Sequence, residues 1–146
     1  MNHIDLNEFN HKLNLSVRFM DLDALQHVNN ARYLNFLEEA RIAYCQEKLN
    51  LFNNINDLNV LVARIEIDFM KPIHFEDKLS IHTRVSKMGT KSFTFESVFS
   101  VEKEHANTIV SRALQTLVTF DIKSGKSIEV PNDIRQKINS IENLKG

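Results

Sequence analysis

The polar segment at residues 21–30, with the sequence DLDALQHVNN, concentrates side chains that can do chemistry. It contains two carboxylates (Asp21 and Asp23), one imidazole (His27) and two carboxamides (Asn29 and Asn30). A carboxylate can act as a general base or as a nucleophile. Because Asp23 and His27 are close in sequence, a coiled segment can turn both toward one cavity. This segment is therefore the first candidate for a catalytic site.

A helix predicted directly after this segment adds to its chemistry. Residues 31–49 have helical spacing of apolar residues, and either Asn29 or Asn30 can cap the helix. The first turn of a helix presents unpaired backbone N–H groups and a partial positive charge, which suit the stabilisation of an oxyanion. We expect the backbone around residues 28–30 to polarise a carbonyl oxygen. The simpler interpretation is that Asp, Asn and His are common turn and capping residues, and the spacing alone favours it.

The predicted helix has an apolar face wide enough for a sheet to wrap around it. We expect Arg41 to lie at the rim of this face. Glu38 and Glu39 are expected to form rim ion pairs, although a catalytic carboxylate on the helix is the alternative. Cys45 is expected to pack as a small apolar residue.

The remaining elements must position this helix and the segment before it. Alternating apolar residues predict a short strand at 13–19, with Phe19 on the face of Leu13, Leu15 and Val17. Four consecutive strands are predicted at 60–69, 78–85, 93–101 and 108–121, after a long connection at 51–59, and a short helix at 134–144. The Phe-rich strand at 93–101 is expected to lie in the core. This order predicts a single α+β domain over residues 1–146, with an antiparallel sheet of about five strands wrapped round one long central helix. Its open edges favour dimerisation.

Composition excludes several classes of function. Eighteen basic and nineteen acidic side chains give a net charge of −1, without the basic field of a nucleic-acid-binding protein. A single cysteine excludes an internal disulfide and a cysteine-based zinc site, and the spacing of the histidines predicts no metal site. The first residues do not resemble a signal peptide, and no apolar run is long enough to span a membrane. We therefore expect a cytoplasmic protein without integral membrane contact.

Residues 18–41 resemble the signature region of hotdog-fold thioesterases of the 4-hydroxybenzoyl-CoA thioesterase-like group. The residues that carry the resemblance are Asp21-Leu22-Asp23, Gln26-His27-Val28-Asn29-Asn30 and Tyr33. The same run is similar to the plant acyl-carrier-protein thioesterases. A weaker likeness extends across residues 13–121, through Pro72, Asp77 and the MGTKS turn at 88–92.

The resemblance implies the hotdog fold and hydrolysis of an acyl thioester, at sites built across a homodimer interface. It also implies that Asp23 is the catalytic carboxylate, acting as base or nucleophile, with His27 beside it. Asn29 and Asn30, at the start of the predicted helix, complete the candidate catalytic set. The chain departs from the pattern at two positions. Leu25 stands where the plant enzymes have Asn, and Leu25 and Gln26 stand where glycine is common before the helix.

The expected function is that of an acyl-CoA thioesterase, assembled as a dimer or a dimer of dimers. Coenzyme A is part of the substrate, and no separate cofactor is expected. Lys87, Thr90, Lys91 and Ser92 surround the turn at Gly89 and are candidates to bind the phosphates of coenzyme A, although a solvated hairpin is an equal alternative. Three other functions stay open: hydrolysis with acyl carrier protein as the thiol carrier, a hydratase that uses Asp23 and His27, and a non-catalytic acyl-CoA-binding protein.

Overall fold

A computed structural model describes residues 3–53 and 58–144 of the chain. The five strands and two α-helices, in chain order, are β1 (His11–Ser16), α1 (Asn30–Leu49), β2 (Val60–Phe69), β3 (Lys78–Met88), β4 (Ser92–Lys103), β5 (Ala106–Thr119) and α2 (Asn132–Glu142). Single turns of 3-10 helix occur at Leu6–Glu8 and Phe19–Asp21. Part of the predicted connection at 51–59, residues 54–57, lies outside the described residues.

The strands form one antiparallel sheet in the order β1-β3-β4-β5-β2, packed on α1. This confirms the predicted α+β class and the sheet around one long helix. The strands β1 and β2 are the two edges. Most side chains of β2 are exposed, including Leu61 (57%) and Val62 (44%), which is unusual for a strand of this apolar composition.

The core consists of two apolar clusters with a layer of hydrogen-bonded side chains between them. One cluster includes Leu37, Ala40, Ile81, Phe99 and Ala113, and the other includes Tyr44, Val85, Phe95, Leu117 and Ile138. The layer runs from Arg41 Nη1 to Gln115 Oε1 (2.9 Å), from Gln115 Nε2 to Ser97 Oγ (3.1 Å), and on to Thr83 Oγ1 (3.1 Å). We call these four residues the polar layer. All four are buried.

Two predictions about the helix face and the first strand are wrong. Arg41, expected at the rim, is buried because its guanidinium joins the polar layer. Strand β1 ends at Ser16, and Phe19 lies in the 3-10 turn with 80% of its surface exposed. The chain turns there because the N–H of Arg18 donates to Asp21 Oδ2 (2.8 Å), which takes Phe19 away from the sheet.

The remaining predictions concern the core residues and the charged residues on α1. Cys45 is buried in the core as expected, and so are the phenylalanines of β4, Phe93, Phe95 and Phe99. Glu38 and Glu39, expected to form rim ion pairs, have no ion-pair partner within 4.0 Å among the described residues, although Glu38 interacts electrostatically with Arg41 and Glu39 with Arg18. None of the described helices is long and apolar enough to cross a membrane.

Candidate active site

A buried carboxylate, Asp21, anchors the polar segment before α1. Its Oδ1 lies 2.9 Å from Arg18 Nη2 and 3.7 Å from Arg32 Nε, and its backbone carbonyl accepts the N–H of Asn29 at 2.8 Å. Burial by itself raises the pKa of Asp21, but hydrogen bonds from the side chain and backbone of Arg18 outweigh it, so that the pKa lies below its ordinary value. Asp21 is therefore held as a carboxylate and ties the segment to the start of the helix.

Asp23 closes a tight turn with His27. The N–H of Asp23 donates to the carbonyl of His27 (2.8 Å), and Asp23 Oδ1 accepts from the N–H groups of Leu25 (2.9 Å) and His27 (3.2 Å). The turn requires a left-handed residue, which is Gln26 with φ of 64°. Asp23 Oδ2 accepts no hydrogen bond from the described residues, and the residue is exposed.

The start of α1 has fewer open backbone donors than the sequence suggests. The N–H of Val28 donates to Ile73 O (2.8 Å), the N–H of Asn29 to Asp21 O (2.8 Å), and the N–H of Ala31 to Asn29 Oδ1 (3.0 Å). The last of these bonds confirms Asn29 as the cap of the helix. Among the described residues nothing accepts the N–H of Asn30. The predicted set of oxyanion donors at 28–30 is thus reduced to one.

A small pocket of about 220 Å³ opens at this helix start. Asp23, His27, Val28, Asn30 and Tyr33 line one side, and the segment at residues 69–72 after β2 lines the other. Asn29 does not line it. The pocket therefore brings together three of the four predicted catalytic residues, Asp23, His27 and Asn30.

Aromatic packing fixes the inner wall of the pocket. The ring of Tyr33 stacks on Phe99 (centroids 5.2 Å apart, planes at 17°) and meets Phe69 edge to face (4.9 Å). Burial raises the pKa of Tyr33 to about 12, so that its hydroxyl stays protonated at neutral pH. Sequence reasoning missed Met70 and Lys71 as lining residues. The signal was their position between the end of a strand and Pro72, where a chain often leaves a sheet edge.

A second histidine, His74, packs against His27. The two rings meet edge to face with centroids 5.1 Å apart, and His74 Nδ1 lies 3.5 Å from Asp77 Oδ2. No local pattern predicts this pair, because the contact depends on how the loop after β2 meets the loop before α1. No group of three metal-ligating side chains lies close enough to hold a metal ion in the part of the chain that is described.

The predicted phosphate-binding residues are not part of this pocket within one chain. Lys87, Thr90, Lys91 and Ser92 lie at the β3–β4 hairpin, where the carbonyl of Thr90 accepts from Val130 and Arg135. Both regions pair with β5, which gives a common scale. Ser92, in the hairpin, pairs with Val118, whereas Phe69, beside the pocket, pairs with Ser111. At the usual rise per residue this separates the hairpin from the pocket by about 20 Å.

Five antiparallel strands packed around one long helix are the architecture of the hotdog class of proteins. Within that class, the chain belongs to the thioesterase-like superfamily, whose family model matches residues 17–138. The expected fold and family are confirmed.

Individual proteins agree with this assignment. The long-chain acyl-CoA thioesterase FadM of Escherichia coli is 33% identical over 125 residues, which cover 85% of this chain and 93% of FadM. The 1,4-dihydroxy-2-naphthoyl-CoA hydrolase of Nostoc punctiforme is 29% identical, covering 84% of this chain and 82% of that protein. The crystal structure of a Thermus thermophilus thioesterase complexed with coenzyme A and Zn has a TM-score of 0.81 and 30% identity, covering 94% of this chain and 98% of that one.

Proposed function

We propose that the protein hydrolyses an acyl thioester of coenzyme A, with Asp23 as the reacting carboxylate. The observation that carries the proposal is the pocket at the start of α1, where Asp23 Oδ2 and the N–H of Asn30 have no partner among the described residues. The named relatives, two hydrolases of acyl-CoA thioesters, support this choice of substrate.

Two routes are open to Asp23. As a base, Oδ2 takes a proton from water while the water oxygen adds to the thioester carbonyl. The C–S bond then breaks, and the thiolate leaves and takes up the proton. As a nucleophile, Oδ2 bonds to the carbonyl carbon and expels the thiolate, and water then hydrolyses the resulting anhydride. A thiolate is a good leaving group, so that neither route needs a strong acid.

The helix start and His27 complete the proposed chemistry. The N–H of Asn30, at the positive end of the helix dipole, donates to the oxyanion that forms on the carbonyl. One such donor is worth about 10²–10³ in rate in a characterised enzyme. His27, which shares the turn with Asp23, positions water or contacts the acyl group. Asn29 acts through its cap, which holds Asn30 in place.

The direct test is thiol release from a series of CoA thioesters with acetyl to palmitoyl chains and with benzoyl. We expect hydrolysis of at least one member, and the profile over chain length reports the depth of the pocket. If no member is hydrolysed but the CoA thioesters raise the melting temperature, the protein binds acyl-CoA without turning it over. If only acyl thioesters of acyl carrier protein are hydrolysed, the thiol carrier of the substrate is acyl carrier protein and not coenzyme A.

We also propose that two copies pair through β2. This edge strand is long, exposed and apolar, and its unpaired backbone groups suit pairing with a second β2. In an antiparallel pairing around a two-fold axis, the start of β2 in one copy lies beside its end in the other. The β3–β4 hairpin of the partner then lies at the same end of the joint sheet as the Asp23 pocket.

Charges placed on this edge are expected to break the dimer. In the variant Leu61→Lys/Val62→Lys, two exposed apolar side chains of the edge strand become ammonium groups, which pairing with a second strand would strip of water. We expect a shift from dimer to monomer in sedimentation at micromolar concentration, with hydrolysis lowered at least tenfold. Ile128→Lys, at an exposed apolar residue outside the sheet, is the control. A dimer that survives the double substitution would rule out pairing through β2.

The hairpin lysines are expected to act on substrate binding alone. In Lys87→Ala/Lys91→Ala the pocket is unchanged, so that kcat for the best CoA thioester stays constant. KM rises about three- to tenfold at low salt, because each exposed contact with a phosphate is worth about 0.2–1 kcal/mol. The increase shrinks at high ionic strength. Lys123→Ala/Lys126→Ala, in another exposed turn, controls for net charge. Equal KM values in the two double variants would show that the hairpin lysines do not bind the substrate.

A further inference from the structure

The inner wall of the Asp23 pocket carries a phenol hydroxyl, that of Tyr33. The residue is buried, with 2% of its surface exposed, yet its hydroxyl makes no hydrogen bond with the described residues. The hydroxyl is also not among the polar atoms of the described residues that are sealed from open space without a partner. The oxygen therefore keeps a small opening, and the space that Tyr33 borders is the pocket.

The Tyr33 hydroxyl is a donor without an acceptor. Taking a hydroxyl out of water without a new hydrogen bond is unfavourable, so that an acceptor entering the pocket would be bound. Burial alone raises the pKa of Tyr33 to about 12, and the oxygen therefore keeps its proton at neutral pH. The other tyrosine of the chain, Tyr44, has its acceptor within the fold, because its hydroxyl donates to Glu142 Oε1 at 2.5 Å.

The helix directs this hydroxyl toward the donor already assigned to the oxyanion. Tyr33 comes three residues after Asn30, the first residue of α1, on the same side of the helix and about 4.5 Å along its axis. Helical side chains lean toward the N-terminus, so that the ring of Tyr33 extends back toward the first turn. The N–H of Asn30 is open in that turn. Both residues line one pocket of about 220 Å³ together with Asp23.

Two rings of the sheet hold Tyr33 in this position. Phe99 of β4 stacks on one face of the Tyr33 ring, with centroids 5.2 Å apart, and Phe69 at the end of β2 meets it edge to face at 4.9 Å. The ring is therefore oriented before any ligand enters. A donor that is fixed in advance stabilises developing charge most effectively, because it needs no reorganisation during the reaction.

We propose that the Tyr33 hydroxyl is a catalytic hydrogen-bond donor, which with the N–H of Asn30 binds the carbonyl oxygen of the thioester. The inference deepens the proposed hydrolysis and rests on it. As the attacking oxygen adds to the carbonyl carbon, the electron pair of the C=O bond moves onto the carbonyl oxygen, and the hydrogen bond from Tyr33 strengthens. When the C–S bond breaks, the C=O bond forms again. Tyr33 keeps its proton throughout.

This second donor complements a helix start with few open N–H groups. The N–H of Val28 and that of Asn29 are taken by the carbonyls of Ile73 and Asp21. A tyrosine hydroxyl is among the groups that can share the charge of an oxyanion with a backbone N–H. The Tyr33 side chain can thus supply what the backbone at residues 28 and 29 does not.

The variant Tyr33→Phe tests the role, because it removes the oxygen and keeps the ring between Phe99 and Phe69. We expect kcat for the best CoA thioester to fall about 10²-fold. KM should stay within about threefold of the wild type, since the hydrogen bond is strongest in the transition state. The melting temperature should be equal to that of the wild type or higher, because no hydrogen bond of the folded protein is lost.

Tyr44→Phe is the matched control, with the same atom removed about 16 Å further along the same helix. Here the bond to Glu142 is lost, so that we expect the melting temperature to fall by about 5 °C while kcat stays within about twofold of the wild type. A Tyr33→Phe variant that behaves like this control, or that keeps full activity, would overturn the proposal.

The pH dependence separates a hydrogen-bond donor from a phenolate. The ratio of kcat in the wild type to kcat in Tyr33→Phe should be constant between about pH 6 and pH 10, because Tyr33 stays protonated over that range. Asp23, His27 and Lys71 also line the pocket, but they are present in both proteins and cancel in the ratio. A ratio that rises tenfold for each pH unit would mean that the phenolate acts as a base, against the proposal.

Infrared spectra of a bound thioester test the contact without turnover. The ligand is a CoA thioester with ¹³C at the carbonyl, bound to Asp23→Asn. We expect the carbonyl stretch to move to higher frequency in Asp23→Asn/Tyr33→Phe, because a donor to the oxygen is lost, and to stay unchanged in Asp23→Asn/Tyr44→Phe.

The outcomes distinguish this inference from the proposed function. If the stretch responds to Tyr33 but no thioester is hydrolysed by the wild type, Tyr33 binds the carbonyl of a ligand that is not turned over. If hydrolysis depends on Asp23 but neither the stretch nor kcat responds to Tyr33, the thioesterase proposal stands and the role of Tyr33 is wrong. A protein that binds no CoA thioester would contradict both.

Discussion

Replacing Asp23 with asparagine is expected to lower kcat for thioester hydrolysis by about 10³-fold, with the fold intact. The amide oxygen of Asn can still accept from the N–H groups of Leu25 and His27, so that the turn is kept. What is lost is the negative charge at Oδ2, which both proposed routes need. The measurement is thiol release from the best CoA thioester, beside the melting temperature of the same sample.

The control for this substitution is Asp133→Asn, which removes a carboxylate from the first turn of α2, far from the pocket in the chain. Its activity should equal that of the wild type. Full activity in Asp23→Asn would show that the reacting group lies elsewhere. If Asp23→Asn loses its fold as well as its activity, Asp23→Glu provides the test. It keeps the negative charge and should retain more activity than Asp23→Asn.

Replacing Asp21 with asparagine is expected to lower the free energy of unfolding by about 2 kcal/mol at neutral pH, because hydrogen bonds to a buried carboxylate are lost. The pKa of Asp21 is lowered in the folded state, so its stabilisation is present above the unfolded pKa of about 3.9 and is lost as the pH falls through the folded value. The difference between wild type and variant should therefore shrink below about pH 4.

Urea unfolding at several pH values measures this difference, and Asp133→Asn again serves as the control. The substitution should also lower hydrolysis, since Asp21 holds Asn29 and hence the start of α1. The pH dependence of the remaining activity should match that of the wild type, because Asp21 does not touch the substrate. A stability difference that persists unchanged to pH 2 would mean that the carboxylate of Asp21 is not the stabilising group.

The sequence predicted the frame well where its apolar pattern was continuous. The bounds of β2 agree with those expected, and α1 begins one residue earlier than expected, at Asn30. Phe19 was assigned to the wrong environment because alternation continues past the point where a local hydrogen bond turns the chain. Periodicity reports which residues can face a core. It does not report where a turn removes one of them.

The structure places three of the four candidate catalytic residues at one pocket, whereas Asn29 does not line it and the hydrogen bonding of the segment was not predicted. Asp23, His27 and Asn30 meet at one pocket because the turn and the helix start are local in sequence. Ile73, whose carbonyl takes the N–H of Val28, comes from a distant loop, and no local pattern points to it. The same holds for Arg41, whose burial depends on Gln115 in another element.

The polar layer bears on how the molecule opens. Apolar contacts are non-directional and tolerate small shifts, whereas the hydrogen bonds of this layer break over a short displacement. The core therefore consists of two apolar clusters joined by hydrogen bonds that tolerate little displacement. Fluctuations that loosen the half around Tyr44 and α2 need not disturb the half that supports Asp23. We expect sub-global opening of this kind to leave unchanged the geometry around Asp23, the carboxylate proposed to react.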